Sequence, residues 1–400
     1  TEETLQNIHR IINQTRGTKF VIKFISVDGD KKYENKFEES LNSCMHLINE
    51  LLNNEKLDIN AFVRNFESSL LVLYISDTLH LLKNFRSRLI KGFVVINLLH
   101  IAQNAISADE IEKILHLGDA LTDKGSLAKL RDCYPLNIFN IRNSLTLFFS
   151  SNQETFFFIL IFALWNESIL NTKISSKLRA FFLETLLNIF LQYLQHSQKW
   201  PSIMIGFHKS DKKPYVFFAA PSKLKRIIMT IFVQLMYVKY GNILYVLDRY
   251  GSHDEENFIG IIQMLCDGDN TYERIMHNFS RYEYISRESD ATFIKPRPKR
   301  LNMGGVQLAE GGFNIDFEFT PKSLADALLT IPFTNSGKDI ADVQRILIEF
   351  IDKLEIIAEQ APYKKFNIPA KSSNATILNR LITFGISKSS TIKTKEFTSF

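Results

Sequence analysis

Asp77-Thr-Leu-His80 closes the apolar run Leu70-Leu-Val-Leu-Tyr-Ile-Ser76 and opens the basic stretch Leu81-Leu-Lys83-Asn84-Phe-Arg86-Ser-Arg88. The pattern reads as strand, polar signature, basic helix. Two further acidic groups have comparable settings: Asp28-Gly29-Asp30 follows another apolar run, and Glu255-Glu256-Asn257-Phe258 lies within a helical pattern. The chemistry within reach is therefore that of carboxylates with a neighbouring imidazole. Other site chemistries have little support. Cys44, Cys133 and Cys266 stand far apart and form no CxxC or Cys/His spacing, which argues against a disulfide framework or a zinc site. His208, His253 and His277 are scattered, and no nucleophile elbow is present. Gly304-Gly305 and Gly311-Gly312 do not join a strand to a helix as a phosphate cradle requires. Taken alone, Asp-x-x-His has an ordinary explanation: the aspartate caps the next helix and the histidine packs nearby.

The elements that must position these groups can be traced along the chain. Leu5, Ile8, Ile11 and Ile12 have helical spacing before Gly17. Residues 20–27 are β-branched and aromatic and run into the Asp28-Gly29-Asp30 turn, as a mostly buried strand does. Leu41, Cys44, Leu47, Ile48 and Leu51 share one face of a helix over 37–52. The strand at 70–76 follows, then a helix predicted from Leu79 to about Leu99. From Ser107 to Lys199 the pattern is helical almost throughout, opening with a capping box from Ser107 to Glu110. Trp200-Pro201 breaks it, and 202–220 has the character of a turn-rich hairpin. Lys223 to Arg249 reads as a long apolar helix, Asp254 to about Leu265 as the glutamate helix, and further helices are expected near 321–330, 339–359 and 373–383.

Length and composition are those of a globular chain: 400 residues, 45% apolar and 12% aromatic, enough to bury a large core. The most apolar stretch, Phe156 to Trp165, closes with Asn166-Glu167, far short of the about 20 apolar residues a bilayer requires. A buried helix is expected there, and no membrane partner. The net charge is only +5, and the segment from Tyr363 onward accounts for it: seven Lys and Arg stand against Glu396. A case for nucleic-acid binding thus rests on that tail and on local patches, because counterion release depends on where cations lie.

The groups around Asp28, Asp77-Thr-Leu-His80 and Glu256, in that order and with a long helical stretch before the last, resemble the signature of DDE-type DNA transposases of the P-element, Mutator and hAT kind. The resemblance covers roughly residues 18–290. It implies an α/β part plus a large all-α part: a partial RNase H-like core interrupted by a helical insertion domain. The implied divisions are 1–106 for the back half of the core, 107–222 for the insertion, 223–290 for the return with the glutamate helix, 291–363 for a loop and helices, and 364–400 for a basic, partly disordered tail.

The same resemblance implies Mg²⁺- or Mn²⁺-dependent strand cleavage and transfer. Carboxylates at strand ends and on a helix would hold two metals roughly 4 Å apart, and hard oxygen ligands suit such ions. Asp28 and Glu256 are the implied catalytic and metal-binding residues, with Asp30 and Glu255 as alternatives. Asp28 is nearer its strand end, and Glu256 directly precedes Asn257-Phe258. Asp77 and His80 form the signature motif. The pattern's first aspartate has no counterpart here, so the implied enzyme is truncated or degenerate and weakly active or inactive. The alternative is a non-catalytic transposon-derived DNA-binding or interaction protein, and Thr1 in place of a start methionine reads as a chain that is processed, trimmed or a fragment. DNA is the implied partner, a homo-oligomer the implied active form, and the nucleus the implied compartment. Lys83, Arg86, Arg88 and Lys91 are candidates for phosphate contacts and equally for a solvated basic face. Lys295, Arg297, Lys299 and Arg300 form a basic run that suits a DNA-binding loop or a nuclear-import patch.

Overall fold

The computed structural model describes residues 24–27, 33–53, 72–91, 93–95, 105–125, 133–150, 153–171, 174–197, 205–207, 214–240, 315–331 and 337–360, with the single positions 10, 11, 14 and 313. The chain divides into two units, Thr1–Gly251 with Val306–Pro362, and Ser252–Gly305 with Tyr363–Phe400. Every described residue belongs to the first. That unit is mostly helical, with two small sheets. An RNase H-like core is not established by it.

β1 (Phe24–Val27) and β2 (Leu73–Ser76) pair in parallel, with Val27 opposite Ser76. The connection includes α1 (Glu34–Asn53). The predicted strands end where expected, at Val27 and Ser76, and the helix between them extends slightly beyond its expected 37–52. All four residues of β2 are buried, as its unbroken apolar sequence requires. Two of its backbone N–H groups turn to helix hydroxyls: Tyr74 donates to Ser40 Oγ on α1 at 3.1 Å, and Ser76 donates to Thr230 Oγ1 at 3.0 Å. Strand donors that no strand accepts are in this way satisfied from above the sheet. Val27, Tyr33, Phe37 and Tyr74 make a small apolar cluster against this layer.

α2 (Thr78–Lys91) follows β2 directly. It stops well before the predicted Leu99, because β3 (Phe93–Val95) is a strand. Gly92 in the sequence breaks the helix, and Phe93-Val-Val is better suited to a pleated sheet. β3 belongs to a second sheet of order β4-β3-β6-β5, with β4 (Ala105–Ile106), β5 (Ile205–Phe207) and β6 (Pro214–Phe217). β3 and β6 are parallel, whereas β4 and β5 run antiparallel to their neighbours. The hairpin expected over 202–220 is thus β5–β6. The pairing of β3 with β6 brings the chain's way into the helical block beside its way out.

Between these strands lie α3 (Ala108–Leu115), α4 (Asp119–Thr122), α5 (Cys133–Ile138), α6 (Ile141–Phe149), α7 (Gln153–Leu170) and α8 (Ser176–Ser197). Ser107 caps α3 by accepting from the Glu110 N–H at 3.2 Å, the forward half of the expected capping box. α7 is buried from Thr155 to Leu170, so its apolar character on every side reflects a central position in the block. Phe162 is the hub, with ring centroids 4.3 Å from Phe85, 5.0 Å from Phe139 and 5.2 Å from Phe158. α9 (Pro221–Tyr240) packs on both α8 and β2. α10 (Pro321–Thr330) covers α8, and α11 (Gly337–Gln360) lies against α10 and α6. No described helix is long and apolar enough to cross a membrane.

Candidate functional site

The turn from β2 into α2 carries the described part of the sequence signature. Asp77 is 6% exposed, and its Oδ1 accepts from the N–H of Leu79 at 2.8 Å and of His80 at 3.3 Å. Its carbonyl accepts from the Leu81 N–H, so Asp77 occupies the N-cap of α2. The spacing of Asp-x-x-His is explained at this level by capping alone. His80 is half-buried on the first turn. Among the described residues, no three His, Cys, Asp or Glu side chains gather closely enough to hold a metal ion. Asp77 is the signature's only described carboxylate, and one of its oxygens serves the cap.

Asp28, Asp30, Glu255 and Glu256 lie outside the described residues, as do Lys295, Arg297, Lys299 and Arg300. What is described is the end of each strand. Val27 and Ser76 are register partners, and in sequence each is followed by an aspartate, Asp28 and Asp77.

The four cations of α2 differ in what they do. Lys83 is 9% exposed and Arg86 only 2%. The Arg86 guanidinium donates to the carbonyls of Ala120 at 2.7 Å, Asp123 at 2.9 Å and Asp119 at 3.3 Å, and lies 4.5 Å from the Tyr134 ring centroid. It thereby ties α2 to α4 and to Asp123, which follows it. Arg88 donates to the Phe218 carbonyl at 3.0 Å, just after β6. Lys91 is exposed. Arg86 and Arg88, nominated for phosphate contacts, thus have documented work inside the protein.

A cationic neighbourhood surrounds the start of α9. The Lys223 ammonium lies 4.9 Å from the Phe85 ring centroid, and the Arg226 guanidinium 5.0 Å from that of Phe37. Burial pushes Lys223 down to about 7, and the nearby charges of Arg88 and Arg226 add to the shift. Desolvation likewise lowers Arg88.

The residues that hold the turn from outside were not foreseen. Thr230 Oγ1 accepts from the Ser76 N–H, and Gln234 Nε2 donates to Thr78 Oγ1 at 3.0 Å. Gln234 Oε1 in turn accepts from Trp165 Nε1 at 2.8 Å. A signal was present in the sequence: Arg226, Thr230 and Gln234 recur every four residues, a polar stripe along an otherwise apolar helix. Cys44 offers no reactive thiol: it is buried, its Sγ lies 3.3 Å from Met229 Sδ, and desolvation pushes it up to about 12.

No family model matches this chain, and neither a curated protein nor a solved structure does.

Proposed function

We propose that the chain is a DDE-type transposase or a protein derived from one, acting on DNA with Mg²⁺ or Mn²⁺ through Asp28 and Glu256. The observation that supports the reading most is the parallel pairing of β1 with β2, in register at Val27 and Ser76. In an α/β sheet, the positions beyond the carboxyl ends of parallel strands are where ligands bind, and here those positions are Asp28 and Asp77 in sequence. A long helical block follows before Glu256, and a helix that packs on β2 directly follows the block. Asp77 and His80 then border the site as structural supports, in keeping with the Asp77 cap.

The second reading is a transposon-derived DNA-binding or interaction protein without strand chemistry. It draws on the internal work of the signature, since Asp77, Arg86 and Arg88 all serve the protein's own backbone. The two readings separate in one assay. The chain, expressed with any coding sequence that precedes Thr1, is incubated with DNA bearing its own element ends and Mg²⁺. Nicking that Glu256→Ala abolishes is the expected result. Nicking retained in that variant rules out the residue assignment, and DNA binding without nicking in the unaltered protein favours the second reading.

A further inference from the structure

The β2–α2 turn is held by side chains far from it in sequence. Trp165 on α7, Gln234 on α9 and Thr78 at the start of α2 are 0%, 5% and 8% exposed, so water does not substitute for their hydrogen bonds. The polarity of this chain of contacts is fixed by chemistry. An indole N–H can only donate, so it binds Gln234 Oε1, and the amide nitrogen is left facing Thr78 Oγ1. One helical turn away on α9, Thr230 accepts the Ser76 N–H and passes its own hydroxyl hydrogen to the Arg226 carbonyl at 2.9 Å. Between these two anchors sits Asp77, holding the Leu79 and His80 N–H groups.

We propose that Trp165, Gln234 and Thr78 form a positioning relay through which the helical block sets the geometry of the β2–α2 turn, with Thr230 fixing the adjacent strand end. The idea rests on the reading above, in which the strand ends border the reaction site. Movement of α7 against α9 reaches Thr78 through a single amide. None of the three residues touches the reacting atoms, so their role is positioning and not catalytic.

The relay is tested in the full chain by indole NMR. The protein has two tryptophans, Trp165 and Trp200, and a Trp200→Phe variant assigns the two indole signals. Thr78→Val removes the acceptor of the Gln234 amide, and the Trp165 indole signal is expected to move although Thr78 lies one residue further along the chain of bonds. Thr78→Ser, which keeps the hydroxyl, leaves it in place. Amide exchange at Leu79 and His80 is expected to quicken about tenfold in Gln234→Met, in line with loss of the buried hydrogen bond that Gln234 makes to the turn at Thr78. Trp165→Phe has the same effect, and the double variant exceeds neither. An unmoved indole signal in Thr78→Val, or additive exchange effects, overturns the relay even where Gln234→Met fails to fold. In the nicking assay, relay variants are expected to raise the Mg²⁺ concentration needed for half-maximal activity. An unchanged requirement overturns the positioning role alone. An unaltered protein that never nicks defeats the transposase reading, while the indole shift still decides whether the relay exists.

Discussion

The strand-end layer and the helical block are stabilised in different ways. Around β1 and β2, Val27, Tyr33, Phe37 and Tyr74 form a small apolar cluster, β2 is buried against α1 and α9, and directed bonds from Ser40, Thr230 and Asp77 fix the strand and its end. Inside the block, α7 is buried from Thr155 to Leu170 and Phe162 interlocks with aromatic rings from α2, α8 and the α5–α6 junction. A hydrogen bond is directional and contributes about 1 kcal/mol net, whereas a fully buried phenylalanine contributes about 1.5–3 kcal/mol through the apolar area it removes from water. The block therefore supplies stability, and the strand ends supply geometry.

This contrast predicts a graded set of effects. Phe162→Ala should be the most costly change, about 3–5 kcal/mol by denaturant unfolding, because it opens a cavity in a fully buried aromatic cluster. A loss below 1 kcal/mol would show that the block is loosely packed after all.

Glu167, buried in the block, and Lys223, half-buried at the start of α9, should respond to pH in opposite directions. In the block, burial pushes Glu167 up to about 7, opposed by the Asn171 amide at 2.7 Å and by the charges of Arg179 and Arg142. A carboxyl raised in the folded state binds its proton more readily there than in the unfolded chain. Its contribution is complete below the ordinary value of 4.5 and is lost as pH rises through about 7. Glu167→Gln should remove that dependence and stabilise the protein at pH 8 relative to pH 4.5, by up to about 3 kcal/mol. At the start of α9, over the Phe85 ring, Lys223 is lowered, so the folded state binds its proton less readily. The resulting penalty is full below about 7 and vanishes above the ordinary 10.5. Lys223→Met should therefore raise Tm at pH 6, with a gain that shrinks toward pH 10. Parallel pH profiles for the two variants would contradict the contrast.

The smallest effect is expected at the cap. Asp77→Ala should cost about 1 kcal/mol and Asp77→Ser much less, since serine can accept the same N–H groups. Equal losses in the two variants would mean that Asp77 does more than cap.

Much of this architecture was legible in the sequence where the signal is local. The unbroken apolar run before Asp77 marked a buried strand, Ser107 marked a helix start, and the phenylalanines of 156–165 marked a buried helix. Pairings between distant segments were not legible. Nothing near Phe93-Val-Val announces Tyr215-Val-Phe as its partner, so apolar continuity carried the predicted helix eight residues too far, to Leu99 in place of Lys91. Arg86 illustrates the same limit. Its position on a basic helix suggests phosphate, yet the carbonyls that receive it lie more than thirty residues away. The candidate site was legible only as residue types and order, and Asp28 and Glu256 themselves lie outside the described residues.

The proposed role of Asp28 and Glu256 as metal ligands is the central claim, and Mn²⁺ binding followed by EPR tests it most directly. Asp28→Asn and Glu256→Gln should each weaken Mn²⁺ binding by about tenfold or more, as loss of a charged ligand does, while Asp77→Asn should leave it unchanged. Binding as tight as in the unaltered protein for either of the first two variants would contradict the account.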